Sequence, residues 1–129
     1  MKQAVFRDMI LTGYFVCEDG YIWSNKRGGL KKLAGAKNRK YPNITLTHEG
    51  VTICADVHRI VCETYHKFPV PAGVTRQEWS VTPESVKKIV RNGYQVNHID
   101  HDPKNSRPDN LEWVSARENQ KKYQEHKKK

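Results

Sequence analysis

The 129-residue chain has only three cysteines, and no two of them are spaced as Cys-x-x-Cys. Cys17, Cys54 and Cys62 cannot all pair with one another, so neither a disulfide scaffold nor a zinc ribbon is expected. The chain also lacks any apolar run near the roughly 20 residues that a membrane-spanning helix needs. Its first residues are partly apolar, but Arg7 and Asp8 interrupt them and no convincing cleavage site follows. We therefore expect a cytosolic protein that does not enter a membrane.

Acidic residues are few compared with basic ones. The chain has 14 Asp and Glu against 23 Lys and Arg, for a net charge of +9. A basic domain of this size most often binds nucleic acid, although an acidic membrane surface or simple solubility are alternatives. At 129 residues the chain can bury only a modest core, in one compact domain or a small domain with a satellite. A large multi-step enzyme is not expected, and composition does not separate DNA from RNA as the partner.

The first half of the chain carries the short patterns of β-hairpins. Aromatic and β-branched residues at 14–17 and 21–24 flank a glycine-containing turn, and residues 30–33 are a candidate third strand. A second hairpin is predicted from the alternation over 43–47 and 51–54. The sequence thus predicts a β-rich N-terminal region over residues 1–66.

A packing helix over residues 57–66 is expected to close this region. Asp56 is placed to cap it, because a carboxylate there accepts backbone N–H groups of the first turn. Val57, Ile60 and Val61 follow with helical spacing and predict the face that meets the core. His58, Cys62 and His66 share another stripe, for which a metal site and a mixed surface are both possible interpretations; structural zinc usually has four ligands, which favours the surface.

The next segment, residues 67–93, is interpreted as a connecting insertion with one short helix. Its first part contains prolines and a glycine, which favour a loop. Thr82, Pro83 and Glu84 then have the order typical of a helix start, with Thr as the cap. The helix is predicted to end near Gly93. The following segment covers residues 94–126, and residues 127–129 are interpreted as a basic tail.

Residues 94–126 are unusually dense in polar side chains. A strand is predicted to end near Ile99, delivering Asn97 and His98, and a loop rich in turn formers follows over 100–110. Residues 111–114 return as a second strand. Ser115 and Glu118 have the spacing of a capping box, so a helix that carries Asn119 is expected to begin there.

Several stretches of the sequence together resemble a known family. They are VNHID at 96–100, NSRPDNLEWVS at 105–115, ENQ at 118–120, VHRIVCETY at 57–65 and GYFVCEDGYIWSNKRG at 13–28. The chain resembles the HNH endonucleases, especially the free-standing or homing endonucleases of phage genomes and phage introns. The resemblance implies an α+β fold, in which a small β-rich N-terminal region precedes a ββα-metal (His-Me finger) HNH motif.

The resemblance also implies roles for individual residues. His98 would be the general base, and Asn110 would hold the loop and orient the imidazole. Asn97 and Asn119 would ligate one divalent cation, Mg²⁺ or Mn²⁺, although some relatives have Asp at the first of these positions and His at the second. A largely neutral imidazole suits a base at pH 7, and amide oxygens suit a hard cation. Alternatively, His98 is a structural histidine and the asparagines are ordinary loop residues.

The sequence as a whole predicts a DNA endonuclease with one active site per chain, which nicks one strand of double-stranded DNA. We expect a monomer or weak dimer, located in the bacterial host cytosol if phage-encoded. Two alternatives are a catalytically silent DNA-binding module on the same scaffold, and an RNA-binding protein that stacks bases on Tyr14, Tyr21, Trp23 and Tyr41. Candidate phosphate contacts are Arg27, Lys31, Lys37, Arg39, Lys40, Lys104 and Arg107.

Overall fold

The structure is a computed structural model that describes residues 1–33, 40–115, 117–118 and 121. Its elements are β1 (Lys2–Phe6), β2 (Met9–Val16), β3 (Ile22–Ser24), β4 (Lys31–Leu33), β5 (Asn43–His48), β6 (Val51–Asp56), α1 (Val57–Tyr65), α2 (Arg76–Ser80), α3 (Glu84–Asn92), β7 (Gln95–His98) and β8 (Leu111–Val114). A 3-10 turn at Pro108–Asn110 leads directly into β8. The predicted α+β class is confirmed.

The described strands form three antiparallel sheets. They have the orders β1-β2-β3-β4, β5-β6 and β7-β8. Both hairpins expected in the first half are present, with Val16 opposite Ile22 in one and His48 opposite Val51 in the other. The first strand was not predicted: Arg7 and Asp8, which break the apolar run, form the turn between β1 and β2 with φ values of 50° and 65°. Two consecutive positive φ values are typical of a tight hairpin turn.

Helix α1 lies at the centre of the core. It packs mainly against β1 and also contacts β2, β6, β7 and β8. Val57, Ile60 and Val61 are buried, as their spacing predicts, and so is Cys62. The stripe of His58, Cys62 and His66 is therefore not a mixed surface, because burial of Cys62 makes its thiol part of the hydrophobic core.

The helix ends differ in detail from the prediction. Asp56 is the N-cap of α1 but makes no capping hydrogen bond; its Oδ1 accepts from Asn43 Nδ2 over 3.4 Å instead. The N-cap of α3 is Pro83, so Thr82 does not cap that helix.

Residues 67–93 contain two helices rather than the one predicted. Helix α2 begins with a complete capping box, in which Thr75 and Glu78 bind each other's backbone N–H groups. The Thr-x-x-Glu spacing that signals this start is present in the sequence and lies just after the prolines.

Arg59 of α1 ties the second half of the chain to the first. Its guanidinium donates to the carbonyl oxygens of Tyr94 and Arg91 and lies 4.6 Å from the centre of the Trp113 ring. These contacts fix the approach to β7 relative to α1. Over the part of the chain that the structure describes, no helix is long and apolar enough to cross a bilayer.

Candidate active site

His98 stands at the end of β7, where the strand gives way to the polar loop. It pairs with Leu111 at the start of β8, and its side chain is buried, with 6% exposure. Just beyond it, Ile99 N donates to Asn110 O over 2.8 Å. The β7-β8 pair and this hydrogen bond hold the backbone on either side of His98, so the strand-loop-strand pattern predicted for this segment is confirmed.

Asn110 locks the loop onto the residues that follow His98. Its Oδ1 accepts from Asp100 N over 3.0 Å, and its Nδ2 donates to Asp100 Oδ1 and to Asn105 O, each over 2.9 Å. Both amide hydrogens are thereby used within the loop. These contacts agree with the loop-holding part of the role predicted for Asn110. Because both Nδ2 hydrogens are used on Asp100 and Asn105, neither is donated to the imidazole of His98, and the predicted orienting role stays a prediction.

The Asp100 side chain accepts further hydrogen bonds from within this loop. Its carboxylate accepts from Asp102 N over 2.9 Å and from Asn105 Nδ2 over 2.8 Å. The hydrogen bond from Asn105, followed by those from Asp102 and Asn110, lowers the pKa of Asp100. The loop is therefore held by an ionised carboxylate whose acceptor oxygens face local amide donors.

The tip of the β2-β3 hairpin supports the same loop from the first half of the chain. Gly20, with φ of 83°, approaches so closely that a Cβ there would lie 2.6 Å from the carbonyl carbon of Ser106. Only glycine fits both this conformation and this distance. Residues far apart in sequence thus position the loop beside His98.

Asn97 lies one residue before His98 and opposite Glu112 in the β7-β8 register. Its Nδ2 donates to Glu112 Oε1 over 2.8 Å. The other predicted ligand, Asn119, lies outside the described residues. The start of its helix is supported, because Glu118 N donates to Ser115 Oγ over 3.1 Å as the capping box predicts. Within the described ranges, no three His, Cys, Asp or Glu side chains gather to hold a metal ion.

Two rings pack against His98, and neither was predicted to lie beside it. The rings of Tyr41 and His98 are stacked, with centroids 5.7 Å apart and planes 28° apart. The rings of His58 and His98 meet edge to face, with centroids 5.1 Å apart and planes 89° apart. Tyr41 and His58 also contact each other at 5.1 Å. No short sequence motif predicts this cluster, because its three residues lie in separate parts of the chain: just before β5, in α1 and in β7.

The two histidines are both held in their neutral forms. The pKa of His58 is lowered from 6.5 to about 4, chiefly by burial and then by His98, with a smaller contribution from Arg59 and with Asp56 opposing them. Burial also lowers the pKa of His98, against the raising effect of Asp100 and Asp102. At neutral pH the imidazole of His98 is therefore available to accept a proton.

The structure describes five of the seven residues predicted to contact phosphate. Arg27, Lys31, Lys40, Lys104 and Arg107 are exposed, whereas Lys37 and Arg39 lie outside the described residues.

Lys104, Ser106 and Arg107 line a groove of about 250 Å³, which Tyr21 and Leu33 also line. Tyr14 is buried, with 6% exposure, so its ring is not available to stack on a base as the RNA-binding alternative requires.

Comparison with known proteins gives two findings. The sequence model of a family described as HNH endonuclease matches residues 55–121, more than half of the chain. A solved structure described as "DNA binding and cleavage by the HNH homing endonuclease I-HmuI" matches with a TM-score of 0.62 and 23% identity. The match covers 89% of this chain and 53% of that one, so the chain spans about half the length of that protein.

No curated protein shows a significant sequence match to the chain. The solved structure shares its fold with this protein, and the family match includes both strands that flank the polar loop. The chain belongs to the HNH endonuclease family.

Proposed function

We propose that the protein is a metal-dependent DNA endonuclease in which His98 is the general base. The observation that carries this proposal is the placement of His98 at the end of β7, buried and neutral, beside a loop that Asn110 locks in place. A neutral imidazole can take a proton from the water that attacks a phosphodiester. Membership of the HNH family supports hydrolysis of nucleic acid as the reaction.

Asn97 and Asn119 are the proposed ligands of one divalent cation, Mg²⁺ or Mn²⁺. Asn97 fits this role, because its amide nitrogen is occupied by Glu112 and its carbonyl oxygen remains as a hard ligand atom. The bound cation would supply Lewis-acid stabilisation of the charge that develops on the phosphate and the leaving oxygen. Both proposed ligands are neutral, so we expect weak binding of the cation before the DNA phosphate completes the site.

The substrate we propose is double-stranded DNA, bound through its phosphates. The net charge of +9 supports a polyanionic partner. Lys104 and Arg107 lie in the loop that follows His98 and are the proposed contacts nearest to the general base along the chain. The family member with a similar fold is described as binding and cleaving DNA. One motif per chain implies one nick per binding event, by a monomer or a weak dimer.

A second candidate is a DNA-binding module that no longer cleaves. It is favoured by the neutral proposed ligands and by the lack of a His, Cys, Asp or Glu cluster in the described ranges. Both candidates predict salt-sensitive DNA binding, so cleavage alone separates them.

The test is the conversion of supercoiled plasmid to nicked and linear forms with Mg²⁺, Mn²⁺ or EDTA. We expect nicking in Mg²⁺ or Mn²⁺, none in EDTA, and none by the His98→Ala variant. The control is His48→Ala, which removes a half-buried histidine at the end of β5. Wild-type protein that binds DNA but cleaves nothing with any cation would refute the nuclease and support the silent module.

A further inference from the structure

Among the residues that the structure describes, one nitrogen of the His98 ring lacks the hydrogen bond that usually orients a catalytic histidine. Such a ring is normally fixed by a hydrogen bond from the nitrogen that does not do the chemistry. Nε2 of His98 is buried and has no hydrogen-bond partner among the residues that the structure describes. Backbone contacts hold the Cα of His98, but they leave the rotation of its side chain to be fixed by packing.

The packing around the ring comes from two directions. Tyr41 covers it with a nearly parallel plane, and His58 meets it with a nearly perpendicular one. Offset stacks and edge-to-face contacts at these distances are the preferred arrangements of aromatic rings. Together they restrict both the tilt and the rotation of the imidazole.

His58 lies beside the end of the β5-β6 hairpin. Its Nε2 lies 3.9 Å from Asp56 Oδ2, and Asp56 Oδ1 accepts from Asn43 Nδ2. Tyr41 is close in sequence to the start of β5 and contacts His58 directly. The approach to β5 and the first turn of α1 therefore bring the two rings together beside His98.

We propose that Tyr41 and His58 are positioning residues, which hold the His98 imidazole in its reactive orientation by ring packing. This inference rests on the proposed function, since it assigns the orientation of the proposed general base. Neither residue is required to transfer a proton. A phenylalanine ring at either position preserves the packing and therefore preserves activity.

The experiment compares five variants: His58→Ala, His58→Phe, Tyr41→Ala, Tyr41→Phe and His48→Ala. The last is the matched control, because the side chains of His48 and His58 are 14% and 13% exposed. For each variant, nicking kinetics give kcat and KM, and circular dichroism confirms folding. In parallel, NMR of histidine-labelled protein follows the ring protons of His98, which are assigned by their absence in His98→Ala.

We expect both alanine variants to lower kcat by about 10- to 100-fold with KM nearly unchanged, because small misplacement of a reacting group is costly. The phenylalanine variants and His48→Ala should keep kcat close to wild type. The His98 ring protons should shift in the alanine variants, since the neighbouring ring is lost, and stay near their wild-type positions in His48→Ala.

Three outcomes would overturn the inference. Unchanged kcat in both alanine variants would show that the rings do not position His98. A His58→Phe variant as inactive as His58→Ala would show that His58 acts through a nitrogen atom. His98 resonances that do not move in either alanine variant would exclude the packing itself, even if the wild type cleaves no DNA. Moved resonances together with an inactive wild type would instead refute the proposed function, and with it the catalytic purpose of the positioning, while confirming that the two rings pack against His98.

Discussion

Burial of His58 makes the stability of this protein depend on pH. Its pKa is lowered from 6.5 to about 4 in the folded state, and the largest cause is burial. Between these two values the unfolded chain binds more protons than the folded one, so the free energy of unfolding rises with pH. The protein is therefore destabilised as the pH falls below about 6.5, and the loss levels off below about 4.

The size of the effect follows from the two pKa values. A tenfold change in proton affinity is worth about 1.4 kcal/mol, so the full loss is about 3 kcal/mol. Between pH 7 and pH 5 the expected loss is about 2 kcal/mol, by the same linkage relation. With a urea m-value of about 2 kcal/mol per M, the unfolding midpoint should fall by about 1 M.

The assay is urea unfolding at pH 7, 6 and 5, followed by circular dichroism, for wild type and His58→Phe. Other groups also titrate in this range, but they are common to both proteins, so the difference between the two curves reports the titration of His58 together with its coupling to the neighbouring His98. We expect the variant to gain about 2 kcal/mol relative to wild type as the pH falls from 7 to 5. Parallel stability curves would refute the argument, because they would show that His58 gains its proton without cost in the folded state.

Three further results are expected. Asn110→Ala removes the partners of Asp100 N and Asn105 O and should lower the free energy of unfolding by about 2 kcal/mol in urea titrations; a loss under about 0.5 kcal/mol would contradict the loop-holding role. Gly20→Ala forces a Cβ against the Ser106 backbone at positive φ and should cost about 2 kcal/mol or more, measured as a lower melting temperature. Calorimetry should detect only weak Mg²⁺ binding to the free protein, and tight binding without DNA would contradict a site completed by the phosphate.

Much of the fold could be predicted because local chemistry fixed it. Alternation of Ile44 and Leu46 with threonines was sufficient for the second hairpin, and the spacing of Val57, Ile60 and Val61 for the buried face of α1. The predictions failed where two local signals compete. Strand β1 was not predicted because the Arg7-Asp8 turn interrupts an apolar run. Helix α2 was not predicted because the prolines before it favoured a loop, although its capping box is present in the sequence.

The family and the candidate general base followed from the sequence, because an HNH motif lies within one continuous segment and its turn, strand and cap signals are local. The surroundings of His98 did not. Tyr41 and His58 are 57 and 40 positions before it in the chain, and Gly20 reaches the loop from the β2-β3 hairpin. Only the packing of α1 between the sheets brings these residues together. Such long-range contacts depend on how separate hydrophobic faces are buried against one another, and this burial cannot be read from the local spacing of residues.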